Sequence, residues 1–234
     1  MAETSPVFVR SNPRVLGHDP GLGHPESAQR VQVILDVLEP GAAGRWTVDR
    51  QAAVPTDEDV LGVLKWIHDE DYIERVRAVS NEGHGWLDTH DCRVSPETFD
   101  SAVAAAGLAM NAALDLANRR LDRAFIVLRP PSHHAERDSA RGYCFFNSVA
   151  VAAEVVVGSL GEPVVIVDFD AHHGNGTQKH FFDRGDVGYV SVHTYPGFPG
   201  TGTADEIGVG EGLGTTRNMP LVAGADDSIY CAAF

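Results

Sequence analysis

The stretch Val164-Val165-Ile166-Val167-Asp168-Phe169-Asp170-Ala171-His172-His173-Gly174-Asn175-Gly176-Thr177-Gln178 joins an apolar β-branched run to a dense set of ionisable groups. A four-residue run such as 164–167 suits a strand buried on both faces, as in a parallel sheet. In sheets of that kind, ligands and reacting groups gather just past the carboxyl ends of the strands. Asp168, Asp170 and His172 alternate, so in extended chain they would point the same way. Asp170 and His172 offer one oxygen and one nitrogen donor, which suits a divalent ion of the zinc or iron kind. The blander alternative is a polar strand end with a glycine turn. Against it, two acids and two histidines within residues 168–173 are costly at a buried strand end unless they have a partner. A binuclear manganese centre of the arginase type is a further alternative. It usually needs another carboxylate two residues after the histidine, where this chain has Gly174.

Upstream, residues 124–128 hold a second buried strand candidate that runs into Arg129-Pro130-Pro131-Ser132-His133-His134-Ala135. Two prolines stiffen that turn. A histidine pair on a rigid strand-end loop reads either as an acid–base device or as solvent-facing polarity. In Gly142-Tyr143-Cys144-Phe145-Phe146-Asn147, the residues Phe145 and Phe146 read as core. A largely apolar helix over 149–160, closed by Gly161, connects this segment to the central strand.

The flanking pattern alternates strands and helices. Strands are expected near Val7-Phe8-Val9, at an edge within 46–54, over 187–193 and over 218–222. Helices are expected after Ser27, from Thr56 to about Leu64, from Asp69, from Ser95-Pro96 to about Asn118, through Phe181-Phe182 and from Asp226. His18 and His24, in a Gly/Pro/His-rich loop over 11–26, read as loop polarity or as a pocket wall. Residues 80–93 read as an irregular loop and 41–44 as a turn. The Gly/Pro-rich run over 195–203 lacks the Gly-Lys-Ser/Thr ending of a phosphate loop.

With 234 residues, 43% of them hydrophobic, the chain can build one large core. Its formal net charge of −15 argues against broad nucleic-acid or anionic-membrane binding and favours cationic partners such as amines. Cys92, Cys144 and Cys231 form no C-x-x-C pair, so neither a disulfide framework nor a cysteine zinc knuckle is expected. No signal peptide or membrane-spanning run is evident, and a soluble cytoplasmic protein is expected.

Taken together, the motifs Arg129-Pro-Pro-Ser-His-His-Ala135, Gly142-Tyr-Cys-Phe-Phe-Asn147, Asp168-Phe-Asp-Ala-His-His-Gly-Asn-Gly176, Ser191-Val-His193 and Pro196-Gly-Phe-Pro-Gly-Thr-Gly202 resemble the histone deacetylase superfamily, which includes acetylpolyamine amidohydrolases. The form His-His-Gly-Asn-Gly-Thr-Gln and the early His24-Pro-Glu26 resemble its class II branch. The resemblance implies an α/β fold, a parallel sheet flanked by helices on both faces. It implies removal of acetyl or similar acyl groups from acyl-lysine or acylated polyamine-type amines by metal-activated water. Asp170 and His172 would be zinc ligands, with iron as the other candidate. His133 and His134 would be the catalytic pair, His134 moving the proton, with Asp168 orienting His133 and Asn175 orienting His134. Tyr143 and Phe198 would line a narrow substrate tunnel. Asp168, Asp170, His172 and Ser191, partly through main-chain oxygens, would hold a structural potassium ion.

The resemblance also implies a third zinc ligand and a carbonyl-polarising tyrosine in positions that would fall past Phe234. The expectation is therefore one deacetylase-like domain over 1–234, cut before its C-terminal part. Gly224-Ala225-Asp226 is not expected to supply the third ligand. A second expectation, of a different class, is an inactive domain that binds an acylated ligand or a partner without turnover. The sequence leaves the oligomeric state open.

Overall fold

The computed structural model describes residues 5–39 and 45–233. The expected turn at 41–44 and the terminal Phe234 lie outside the described residues. The strands are β1 (Val7–Arg10), β2 (Trp46–Asp49), β3 (Gly85–Trp86), β4 (Arg93–Val94), β5 (Ala124–Ile126), β6 (Val164–Asp168), β7 (Val187–Thr194) and β8 (Thr216–Leu221). The helices are α1 (Ala28–Leu38), α2 (Asp57–Ile67), α3 (Glu70–Glu82), α4 (Thr98–Ala117), α5 (Ser148–Leu160), α6 (Asn175–Phe181) and α7 (Asp227–Ala233).

Two parallel three-stranded sheets, in the orders β2-β1-β5 and β6-β7-β8, carry the fold. The parallel pairing expected from the β-branched runs is present. Helices α4 and α5 pack along each other behind the strands, and α5 also meets β6. The alanines of α4 allow this close approach, with Ala102, Ala104, Ala105 and Ala106 all buried. The main core gathers α2, α3, α4 and α5 around Phe145 and Phe146, which are core residues as expected.

Several boundaries differ from expectation for identifiable reasons. The strand β6 is not buried on both faces: Val164 and Ile166 pack on the core, whereas Val165 is 64% exposed and Val167 47%. Among the described residues β6 pairs with β7 alone, and Val165 lines an open apolar groove of about 470 Å³ between β5 and β6. An apolar run reports hydrophobicity, whereas burial of each face depends on which neighbours cover it. Helix α4 begins at Thr98 and not at Pro96. The Ser95 hydroxyl, expected as its cap, instead accepts the Asp19 N–H at 3.0 Å and so ties in the early loop. Residues 80–93 are less irregular than expected, because Gly85–Trp86 pairs antiparallel with Arg93–Val94. Helix α6 starts at Asn175, inside the motif itself, and α2 continues to Ile67.

Capping explains the ends that match. Thr56 accepts the Asp59 N–H at the start of α2, and Asn147 accepts the Ala150 N–H at the start of α5. Gly161 closes α5 in the left-handed conformation, with φ of 66°. The three cysteines are free. Among the described residues no helix is long and apolar enough to cross a membrane.

Buried histidines make the fold acid-sensitive. Burial pushes His18, His68 and His134 down from the ordinary value of 6.5 to about 4. Between pH 6.5 and about 4 the unfolded chain therefore binds protons that the folded chain refuses, and stability falls as pH falls through that window. Each unit of displacement corresponds to about 1.4 kcal/mol. Burial lowers His173 and His193 in the same sense, and His133, whose pKa is raised, alone among the shifted histidines opposes them. The urea midpoint should drop continuously from pH 7 to 4.5. A midpoint that stays flat over this range would contradict the burial of these rings.

Candidate active site

The site lies where the loop after β5 meets the loop after β6. A strand-end loop pinned by Pro130 and Pro131 presents His133 and His134, whose rings lie 4.0 Å apart. Each ring has a different partner. His133 places Nδ1 2.9 Å from Asp168 Oδ2, and the same carboxylate oxygen accepts the Tyr189 hydroxyl at 3.0 Å. His134 places Nδ1 2.8 Å from Asn175 Oδ1. Asp168 is the last residue of β6 and Asn175 the first of α6, so one strand–turn–helix unit orients both rings.

These partners separate the two imidazoles electrostatically. Burial alone would lower the pKa of His133, but the Asp168 carboxylate outweighs it and the pKa is raised. Burial would likewise raise Asp168, but its bond to His133 holds it low. The two stand at ion-pair distance, 2.9 Å. His134 has only a neutral amide at Nδ1, and burial followed by the adjacent His133 charge keeps it neutral. The pair thus comprises one imidazole biased towards the cation and one that stays a free base, an arrangement suited to acid–base chemistry.

Asp170 and His172 stand at the mouth of the same pocket, their side chains 51% and 52% exposed. Asp170 Oδ1 lies 3.3 Å from His172 Nδ1 and 3.9 Å from His133 Nε2. The chain leaves β6 at Asp168 and turns, so the alternation expected for extended chain does not continue. Asp168 faces inward, while Asp170 and His172 face the pocket. The two exposed donors have the chemistry of a metal site. However, no group of three or more His, Cys, Asp or Glu placed to hold an ion occurs among the described residues. The fit is therefore right in donor type and incomplete in number. Asp226 does not line this pocket, and its Oδ1 accepts Ser228 N–H, Ser228 O–H and Ile229 N–H.

The pocket has a volume of about 540 Å³. Tyr143 and Phe198 are among the residues that line it. The Phe198 ring stands edge-on to His134 at 4.9 Å and to His172 at 5.8 Å. Tyr143 stands edge-on to His24 at 4.7 Å, so His24 backs the Tyr143 wall while its neighbours Pro25 and Glu26 line the pocket. His18 is interior, with Nδ1 2.8 Å from the Thr98 hydroxyl. Ser191 is buried on β7 directly opposite Asp168 in the register, and its hydroxyl pairs with His193 Nδ1. Sequence reading missed Glu26, Arg30 and Asp91 as lining residues. They come from segments far apart in the chain, and no local pattern marks them. Asp91 Oδ2 accepts the Gly142 N–H at 3.0 Å, which fixes the backbone before Tyr143.

Two glycines act by excluded volume. A Cβ at Gly142, where φ is +57°, would fall 2.2 Å from His134 Cδ2. A Cβ at Gly174 would fall 2.3 Å from Asp168 Oδ2 and 2.6 Å from the Tyr189 hydroxyl. Real side chains do not approach so closely, so both rings are packed against bare backbone.

A histidine pair with opposed partners thus stands beside an Asp/His donor pair at the strand ends of a parallel α/β fold. Residues 24–234 match the histone deacetylase domain, and the chain belongs to that family. It is 38% identical over 211 residues to a histone deacetylase-like amidohydrolase of Pseudomonas aeruginosa, covering 89% of this chain and 53% of the relative. It is 34% identical over 215 residues to a probable deacetylase of Archaeoglobus fulgidus, covering 92% of this chain and 59% of the relative. The chain therefore spans somewhat more than half the length of these two relatives. Its fold is similar to the crystal structure of an acetylpolyamine aminohydrolase from Burkholderia pseudomallei, with a TM-score of 0.84 at 25% identity. That match covers 97% of this chain and 75% of the other.

Proposed function

We propose that this chain carries the acid–base centre of a metal-dependent hydrolase that removes acetyl or related acyl groups from acylated amines or acyl-lysine. The supporting observation is the contrast between the two adjacent imidazoles, one paired with Asp168 and one with Asn175, at the floor of a pocket walled by Tyr143 and Phe198. Asp170 and His172 would be two of the ligands of a zinc ion, or an iron ion. Such an ion, when bound, supplies an activated water and polarises the acyl oxygen. With Nδ1 committed to Asn175, His134 keeps Nε2 as its basic nitrogen. There it would take a proton from the attacking water and return one to the leaving amine. His133, biased towards its cation by Asp168, would act through its charge. The aromatic walls suit a neutral acylated stem, and the net charge of −15 favours a substrate whose remaining amines are cationic. Potassium is proposed at Asp168, Asp170, His172 and Ser191, where the last residue of β6 lies opposite β7. We place the protein in the cytoplasm, which the three free cysteines support.

A second reading is favoured by the count of two donors: a domain that binds an acylated ligand without turning it over. Zinc calorimetry and hydrolysis of an acetyl-lysine peptide and an acetylated polyamine, measured on the same preparation, separate the two. The hydrolase reading expects one zinc per chain, lost in Asp170→Asn, together with amine release. Ligand binding with neither zinc nor amine release would establish the silent binder.

A further inference from the structure

We propose that Glu136 is a positioning residue for His134, acting through Asn175 to fix which imidazole nitrogen carries the proton. This inference rests on the hydrolase reading for its consequence in turnover, but its geometry stands by itself.

An asparagine amide has a donor end and an acceptor end of nearly the same shape. Asn175 could therefore present either end to His134, and its other contacts decide which. Asn175 Nδ2 donates to Glu136 Oε1 at 2.7 Å, much the shorter of its two contacts, the other being the His134 carbonyl at 3.4 Å. An ionised carboxylate can only accept hydrogen bonds, so it captures the NH₂ end. Oδ1 is thereby turned to His134 Nδ1 at 2.8 Å. An amide oxygen can only accept, so Nδ1 must carry the proton and Nε2 keeps its lone pair. If the amide turned over, its NH₂ group would face Nδ1, and the proton would move to Nε2. An imidazole in that state cannot act as the base through Nε2.

The surroundings hold Glu136 in this role. Asn175 and Lys179 are four residues apart on α6 and share one face of the helix. The Glu136 carboxylate sits between them, with Oε2 accepting Lys179 Nζ–H at 2.7 Å. Its side chain is 18% exposed, whereas that of Lys179 is 65% exposed. The Glu136 backbone is fixed from both sides: its carbonyl accepts His68 Nδ1–H at 2.8 Å and its N–H reaches Ser139 O at 3.0 Å. His68 in turn accepts the Asn147 N–H through Nε2 at 3.0 Å. The carboxylate is thus delivered to Asn175 by a rigid loop. Burial alone would raise its pKa, but Lys179 and Asn175 bring it below the usual value, which keeps it ionised and acceptor-only.

The test reads the tautomer directly, by ¹⁵N NMR of the His134 side chain. In the parent protein the proton should sit on Nδ1. In Glu136→Gln, which has nearly the same shape, the amide at 175 loses its fixed sense, and signal should appear from the Nε2–H form. For amide hydrolysis, kcat should fall by about 10- to 100-fold, the usual range for an outer partner of a site group, with KM little changed. The double variant Glu136→Gln/Asn175→Asp reverses the donor and the acceptor. Aspartate at 175 accepts from Nδ1 without help, so the parent tautomer and most of the rate should return. Lys179→Met removes the ion pair but keeps the carboxylate, so the tautomer should be retained. A parent-like tautomer in Glu136→Gln overturns the proposal. So does Lys179→Met matching Glu136→Gln in both tautomer and rate, since that pattern reports a merely structural ion pair. If Glu136→Gln fails to fold, the double variant and Lys179→Met still decide: loss of the parent tautomer in the first, or in the second, overturns it. A tautomer change in a protein that hydrolyses no acyl amine would sink the hydrolase reading and leave this inference standing.

Discussion

His134→Ala should lower amide hydrolysis by about 10²- to 10⁴-fold, the range that a positioned proton-transfer group contributes. The loss should fall on kcat more than on KM, because the imidazole does its work as the proton moves. His134 meets the pocket beside Phe198, and its other nitrogen is held by Asn175, so no neighbouring side chain stands ready to replace it. His133 does not serve as a substitute, since its Nδ1 is spent on Asp168 and that pairing biases it towards the cation. Steady-state kinetics on an acetyl-lysine peptide provides the measurement. A rate within threefold of the parent would remove His134 as the base.

Arg129→Met should destabilise the fold by about 3 to 5 kcal/mol, the penalty for breaking a buried ion pair from one side. Arg129 and Glu26 are both about 1% exposed, among the most buried charged residues of the described chain. The guanidinium grips Glu26 with Nε at 2.8 Å and Nη2 at 2.7 Å. Its Nη1 donates to the carbonyls of His18 at 2.7 Å and of Val15 and Leu16 at 3.3 Å. One side chain on the strand-end loop therefore fastens the early loop that supplies Pro25 and Glu26 to the pocket. Removing it leaves a carboxylate and three carbonyls without their donor. The double variant Arg129→Met/Glu26→Leu should recover part of the loss, because an apolar pair no longer buries an unpaired charge. Urea unfolding at pH 7 measures both. A cost below 1 kcal/mol for the single variant would mean that the carboxylate escapes its burial, with His18 Nε2, at 3.5 Å, the nearest group able to take up a proton.

What the sequence disclosed about this site followed from proximity along the chain. His133 with His134, and Asp168 with Asp170 and His172, are local runs at strand ends, where a short apolar segment and a turn predict a cluster of reacting groups. Asn175 and Asp168 emerged as orienting partners through the family resemblance, and the structure places each at hydrogen-bond distance from its ring. Glu26, Arg30 and Asp91 were not legible because long-range packing alone brings them to the pocket. Glu136 was not legible for another reason. It is adjacent in sequence, but a lone acid in a loop has no signature until α6 folds Asn175 and Lys179 against it. The parallel architecture was readable from β-branched runs alternating with amphipathic segments. The exposed face of β6 was not, since burial of a strand depends on neighbours that its own residues do not encode.

Gly142 and Gly174 give this centre an uneven tolerance to evolutionary change. Neither contributes a reacting atom, yet a single added methyl at either place would occupy space already filled by a ring or a carboxylate. Drift in what the pocket admits is therefore channelled away from these two positions. It is left to the aromatic walls, Tyr143 and the 40%-exposed Phe198, where a change of side chain alters what enters without dislodging the imidazoles.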